Sequence, residues 1–272
     1  MSAKTSIEWC DHTFNPFWGC TKVSPGCDHC YAESWAKRFG VKWGSGEARK
    51  HASERTWAEP IRWNERAGKD RTRKRVFCAS MADVFDNEAP TGTRERLWSL
   101  IGATPHLDWL LLTKRVGNIM GMVPDHWQKR FPRNVWIGAT VVNQIESDRD
   151  IPKLLKIPAP IRFLSCEPLL GPIDLEYPKT IWPDGPQMCC DGHDCGCMGK
   201  PADPPLIWGI KWVIAGPESG RNARACDLAW IRSLRDQCNA WRVPFFFKQI
   251  VQDGIKIPTP ELDGKRWVEM PG

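Results

Sequence analysis

Short apolar runs recur along the chain, each ending in polar residues and most followed by a stretch with helical periodicity. Six stand out: Arg75 to Phe85 (RVFCASMADVF), Leu107 to Arg115 (LDWLLLTKR), Asn134 to Val142 (NVWIGATVV), Ile161 to Leu170 (IRFLSCEPLL), Lys211 to Gly220 (KWVIAGPESG) and Pro244 to Ile250 (PFFFKQI). Continuous apolar character, rather than strict alternation, predicts strands buried on both faces, as in a parallel sheet. Between them TGTRERLWSLIGAT, NQIESDRDIPKLLKI and DLAWIRSLRDQCNAW read as helices; the first places Leu97, Leu100 and Ile101 on one face. With one more strand in DHTFNPFWG, the pattern predicts an α/β fold, a partial (β/α)6-7 TIM-like barrel of parallel strands. A doubly wound open sheet is the alternative. Two segments break the rhythm and read as insertions on a single unit spanning 1–272: a basic, Trp-rich one over 37–75 and a Cys-rich one over 177–208.

Length and composition narrow the chemistry. A chain of 272 residues can bury a core without disulfides, and its 12 cysteines follow no apolar leader. No run of about eighteen apolar residues occurs, so no membrane partner is expected. The expectation is a cytoplasmic protein with reduced thiols, in which clustered cysteines favour metal over disulfide. The net charge of +6 is a mild excess that weakly favours a polyanionic partner.

Parallel α/β folds gather chemistry where strands end, because side chains there face a common cavity. Here every strand end carries a polar cluster: Ser80, Met81 and Asp83; Thr113, Lys114 and Arg115; Thr140 and Asn143; Ser165, Cys166 and Glu167; Glu218 and Ser219; Lys248 and Gln249. Some have plainer roles, since a strand-end Asn or Ser often caps the next helix. Glu167 and Glu218 follow apolar strands directly and are expected to face the cavity, with Lys248 as a catalytic candidate or an ion-pair partner to one of them. Cys166, also at a strand end, is a further catalytic candidate.

The segment CTKVSPGCDHC places Cys20, Cys27 and Cys30 within eleven residues, with Ser24-Pro25-Gly26 supplying a turn between the first two. Zinc wants four tetrahedral ligands, and Cys10, His12 or His29 could complete such a site. A [4Fe-4S] cluster also takes thiolates, and three of them leave one iron open to an outside ligand.

The strings FNPFWGCTKVSPGCDHCYAE, SMADVF, LLLTKR, LSCEPLLGPIDL, WVIAGPESG and FFFKQ, in this order, resemble a phage-associated family of radical-SAM-like proteins with a three-cysteine motif, a domain of unknown function. The likeness runs from about Ile7 to Gln249. It implies a partial barrel, a [4Fe-4S] cluster on Cys20, Cys27 and Cys30, S-adenosylmethionine (SAM), and a reductase as electron donor. It also implies that Ser80, Met81 and Asp83 lie near the methionine amine, and Thr140, Asn143 and Glu167 near the ribose or carboxylate. His29 stands where the superfamily usually carries an aromatic beside the adenine. The interval between Cys20 and Cys27 is longer than the superfamily's usual one.

Two groups remain. Cys189, Cys190, Cys195 and Cys197 in CCDGHDCGC could wrap a second metal, zinc or iron-sulfur, or form a metal-free reduced loop. From Lys37 to Arg75, 13 Lys and Arg stand against 5 acids, with Trp43, Trp57 and Trp63 interleaved and Trp35 just before. That composition suits DNA, RNA or a nucleotide, or equally a solvated insertion whose tryptophans pack on the barrel. The expected function is a radical SAM enzyme that uses a 5'-deoxyadenosyl radical to modify or repair a nucleobase or nucleotide. The alternative is a zinc-containing nucleic-acid-binding protein.

Overall fold

The computed structural model describes residues 5–178, 181, 183, 204–219, 223–252 and 255–272. Seven strands form one sheet: β1 (His12–Phe14), β2 (Lys74–Cys78), β3 (Leu107–Thr113), β4 (Val135–Thr140), β5 (Ile161–Cys166), β6 (Trp212–Ala215) and β7 (Phe245–Phe247). All adjacent pairs are parallel, and spatial order follows chain order from β1 to β7. A doubly wound sheet reverses its order partway, so this monotonic order excludes that alternative. The sheet curls into a half-barrel, as the apolar rhythm predicts.

The helices follow from capping and periodicity. They are α1 (Tyr31–Arg38), α2 (Glu54–Lys69), α3 (Thr93–Ala103), α4 (Gln144–Leu155) and α5 (Leu228–Ala240). The last three coincide with the three helical segments read from the sequence. Asn143 caps α4 by accepting from the Glu146 amide at 3.0 Å, and Glu146 reaches back to the Val142 amide at 3.1 Å. Ser53 caps α2, and Asp227 caps α5. Helix α2 lies between β1 and β2 in the chain and buries Trp57, Pro60, Trp63 and Ala67, spaced for one helical face. Two of the three tryptophans of the basic segment therefore belong to the core.

Residue parity assigns the two faces of the sheet. Val76, Leu111, Ile137, Leu164, Val213 and Phe245 point outward into the large cluster shared with the helices. Their neighbours Phe77, Leu110, Trp136, Phe163, Trp212 and Phe246 point inward and fill the concave floor, joined by Trp9. Trp212 is the hub, with Trp136, Phe163 and Phe246 ring centroids 5.8 to 6.3 Å away. The Phe163 ring lies across β4 only because position 138 is glycine; a Cβ there would sit 2.3 Å from the ring. Trp212 Nε1 donates to the Glu269 carbonyl at 2.9 Å, and the Phe247 amide donates to the Trp267 carbonyl at 2.8 Å. The C-terminal segment thus covers the exposed edge of β7 and ties it to the floor.

Candidate functional site at the barrel mouth

Above the aromatic floor, the same inward positions turn polar. Leu112 leads to Lys114 on β3, Gly138 to Thr140 on β4, Phe163 through Ser165 to Glu167 on β5, and Phe246 to Lys248 on β7. These four chain ends open onto one cavity of about 1070 Å³ including its mouth. The cysteine loop closes one side: Cys20, Cys27 and Cys30 all line this cavity, as do His29, Ser80, Asp83 and Glu218. Three candidates lie outside the lining. Met81 packs against Ala32, Ala36 and Val41; Asn143 is spent as the α4 cap; and Cys166, of outward parity, is in the helix-facing core. Burial pushes the Cys166 thiol up to about 12. Cys189, Cys190, Cys195 and Cys197 lie outside the described residues.

The loop is held in place by its own turn. Ser24 Oγ accepts from the Gly26 amide at 3.0 Å, and Pro25–Cys27 form a short 3-10 turn in which the Cys27 amide donates to the Ser24 carbonyl at 2.8 Å. Gly26 lies against the end of β4; a Cβ there would sit 2.7 Å from Val142 Cγ1. Only a residue without a side chain lets the loop approach so closely. On the far side, Arg224 donates to the Pro25 carbonyl at 2.8 Å and to Glu218 Oε1 at 2.6 Å, while His29 Nδ1 lies 2.9 Å from Glu218 Oε2. Burial raises the Glu218 pKa, but the bonds from Arg224 and His29 outweigh it and hold the carboxyl below its ordinary range.

Asp83 has an internal task. It accepts from Thr113 Oγ1 at 2.8 Å, from the Phe85 amide at 3.0 Å and from Arg115 Nη1 at 2.9 Å. Arg115 in turn donates to the Thr21 carbonyl at 2.7 Å and points Nη1 at Cys20 Sγ, 3.6 Å away. Burial lowers and Asp83 raises the Arg115 pKa, the net being upward, so its charge is fixed. For Cys20, burial and Asp83 push the thiol up to about 12 against the pull of Arg115. Lys248 is ion-paired with Glu167, as the sequence allowed. In contrast, Thr140 and Ser165 make no side-chain hydrogen bond among the described residues, and Lys114 has no ion-pair partner among them. These three are among the polar groups of the cavity lining that stay open to a ligand.

Arg115, one of the polar strand-end residues of the sequence, proves to be the cation at Cys20. Two other supports were missed. Asn15, buried after β1, binds Ser80 Oγ at 3.0 Å and accepts from the Met81 amide at 2.7 Å, fixing the β2 end. Its position directly after a strand was the available signal. Arg224 had none, because its role depends on the approach of two distant loops.

Among the described residues, no three His, Cys, Asp or Glu side chains converge closely enough to hold one ion. An iron-sulfur cluster takes one thiolate per iron and spreads its ligands. Three unpaired thiols around one cavity, with a fixed cation at one of them, fit that demand. Among the described residues, no helix is long and apolar enough to cross a membrane.

Fold and cavity together define a parallel α/β half-barrel whose strand-end mouth is walled by three thiols. A family model covers residues 4–271, and the chain belongs to that family, the proteins of unknown function DUF5131. No curated protein matches it. One similar solved structure is a spore photoproduct lyase mutant with bound AdoMet and dinucleoside spore photoproduct. It is 14% identical with a TM-score of 0.41, and the match covers 58% of this chain and 46% of that one. The chain thus spans less than half the length of that relative.

Proposed function

We propose that this protein is a radical SAM enzyme acting on a nucleobase or nucleotide, with Cys20, Cys27 and Cys30 holding a [4Fe-4S] cluster. The observation that carries this reading is that the three thiols line one cavity with Lys114, Thr140 and Ser165, whose side chains make no hydrogen bond or ion pair among the described residues. The motif resemblance points the same way. When bound, the cluster and SAM supply an electron and a 5'-deoxyadenosyl radical. A reductase is the expected electron source.

The chain's own residues do the rest. Arg115, anchored by Asp83, faces Cys20 and offsets part of the burial that raises its thiol, since a fixed cation stabilises an anion in a partly dry site. Lys114, beside Gly26 and the cysteine loop, is placed to receive an anionic group of cofactor or substrate. Thr140 and Ser165 offer hydroxyls to a ribose or amino-acid moiety. Glu218, clamped by Arg224 and His29, keeps the loop closed over the mouth. The aromatic floor excludes water from below, which protects a reactive intermediate.

Anaerobic purification tests this. The expected protein is brown, carries about four irons per chain, loses them in Cys27→Ser, and releases 5'-deoxyadenosine when reduced in the presence of SAM. A colourless protein with stoichiometric zinc would overturn the enzyme reading and favour the zinc-containing binding protein.

A further inference from the structure

A line of three aromatic rings climbs α1 from the cavity to solvent. Tyr31, Trp35 and Phe39 recur every fourth residue and so share one helical face. They are 41%, 50% and 52% exposed. Helix α1 starts directly after Cys30, and Tyr31 lines the cavity, its hydroxyl donating to the Ser80 carbonyl at 2.9 Å. The Trp35 and Phe39 rings lie within 12° of parallel with centroids 6.2 Å apart. Trp18 meets Phe39 edge-on at 5.5 Å. A contiguous group of exposed large aromatics marks a binding surface more often than scattered single ones do.

Cations are interleaved with these rings. The Arg38 guanidinium lies 5.3 Å from the Trp35 centroid, and Lys50 Nζ 5.9 Å from that of Trp18. From Tyr31 to His51 the chain carries five Lys and Arg against two acids. Flat π faces alternating with positive charge match unpaired nucleotides, whose bases stack while their phosphates meet the cations. A duplex hides its base faces from such a surface. The centre of a protein interface is depleted of charge, unlike this surface.

We propose that this face of α1, built on Trp35 and Phe39 with Arg38 and Lys50, binds single-stranded nucleic acid and leads an unpaired base past Tyr31 into the cavity. The inference deepens the reading of the cavity as a nucleobase-modifying site and rests on it for the direction of the strand. Binding itself requires only the surface.

Fluorescence anisotropy on the full chain tests it, using labelled oligothymidylate, oligouridylate and a duplex of equal length at several salt concentrations. The expected result is binding to one or both single strands well above duplex, with DNA or RNA identified by which is tighter. Trp35→Ala and Phe39→Ala each weaken it by about tenfold, whereas Trp35→Phe retains most of it. Arg38→Gln lowers the salt slope by about one. Trp208→Ala, at a 66% exposed tryptophan that does not line the cavity, leaves affinity unchanged. Equal affinity of folded Trp35→Ala and wild type, or preference for duplex, would overturn the proposal. So would self-association abolished by Trp35→Ala, which would assign the face to a second copy of this chain. Iron content and 5'-deoxyadenosine release are read separately. If those fail while Trp35-dependent binding persists, the cavity chemistry falls and the surface stands; the converse result removes the surface alone.

Discussion

The floor and the mouth of the half-barrel are built from the same inward-facing strand positions, yet one is aromatic and dry and the other polar and open. Phe163 and Ser165 are neighbours of equal parity on β5, as are Trp136 and Thr140 with Gly138 between them on β4. Below, every inward position meets another ring, so each side chain serves packing. Above, inward side chains line the cavity, where Glu167 pairs with Lys248 while Thr140 and Ser165 make no side-chain hydrogen bond among the described residues. The comparison separates residues that hold the protein together from residues available to a ligand.

The largest effect is expected at the floor. Phe163→Ala, emptying a ring that touches the Trp212 hub, costs about 3–5 kcal/mol in denaturant unfolding. At the mouth, Ser165→Ala costs about 0.5 kcal/mol or less and instead weakens SAM binding in titration. Equal stability losses at the two positions would erase the distinction.

An intermediate effect is expected at the Glu167–Lys248 pair, which lies at the boundary. Lys248→Met leaves the carboxylate without its partner and costs about 1–3 kcal/mol. Glu167→Gln combined with Lys248→Met recovers most of that stability, because replacing both charges removes the desolvation penalty. Release of 5'-deoxyadenosine is expected to stay low in the double variant. Full activity there would make the pair structural, part of the floor in function if not in place.

The clasp over the mouth is expected to contribute a smaller, pH-dependent amount. Glu218 is held below its ordinary value of 4.5, so the folded state binds its proton more weakly than the unfolded state. Its contribution is complete above about pH 4.5 and fades as pH falls through the lower folded value. Thermal unfolding of wild type and Glu218→Gln should therefore differ at neutral pH and converge in acid.

The smallest effect separates adjacent residues of opposite parity. Cys166→Ala trims the outer core by about 1 kcal/mol and leaves 5'-deoxyadenosine release intact, whereas Ser165→Ala does the reverse. Loss of release in Cys166→Ala alone would assign the thiol to the chemistry despite its outward placement.

Much of the fold was legible in the sequence because a strand buried on both faces needs a continuous apolar run, and a helix over it needs apolar residues every third or fourth position. The strand-end rule likewise pointed Glu167, Glu218 and Lys248 to one mouth, and the three loop thiols line the same cavity. It took no account of parity. Cys166 and Ser165 are both at the β5 end, but the pleat turns one to the helices and the other to the cavity. Met81 and Asn143 failed for local reasons, a small apolar pocket under α1 and a helix cap. Composition also could not sort the tryptophans of the basic segment, since Trp57 and Trp63 differ from Trp35 only in which helical face they occupy.

What the sequence determined by itself is the order of strands and helices, the three closely spaced thiols and the polar strand ends, since these depend on local pattern and spacing. Only the tertiary structure decided which polar residues remain free. Asp83 is engaged by Arg115, Glu218 by His29 and Arg224 by the Pro25 carbonyl, all partners distant in sequence, whereas no such partner engages the Lys114, Thr140 or Ser165 side chain among the described residues. The physical reason is that satisfaction of a buried polar group depends on what the fold brings within hydrogen-bond reach, and that distance is set by the curl of the sheet.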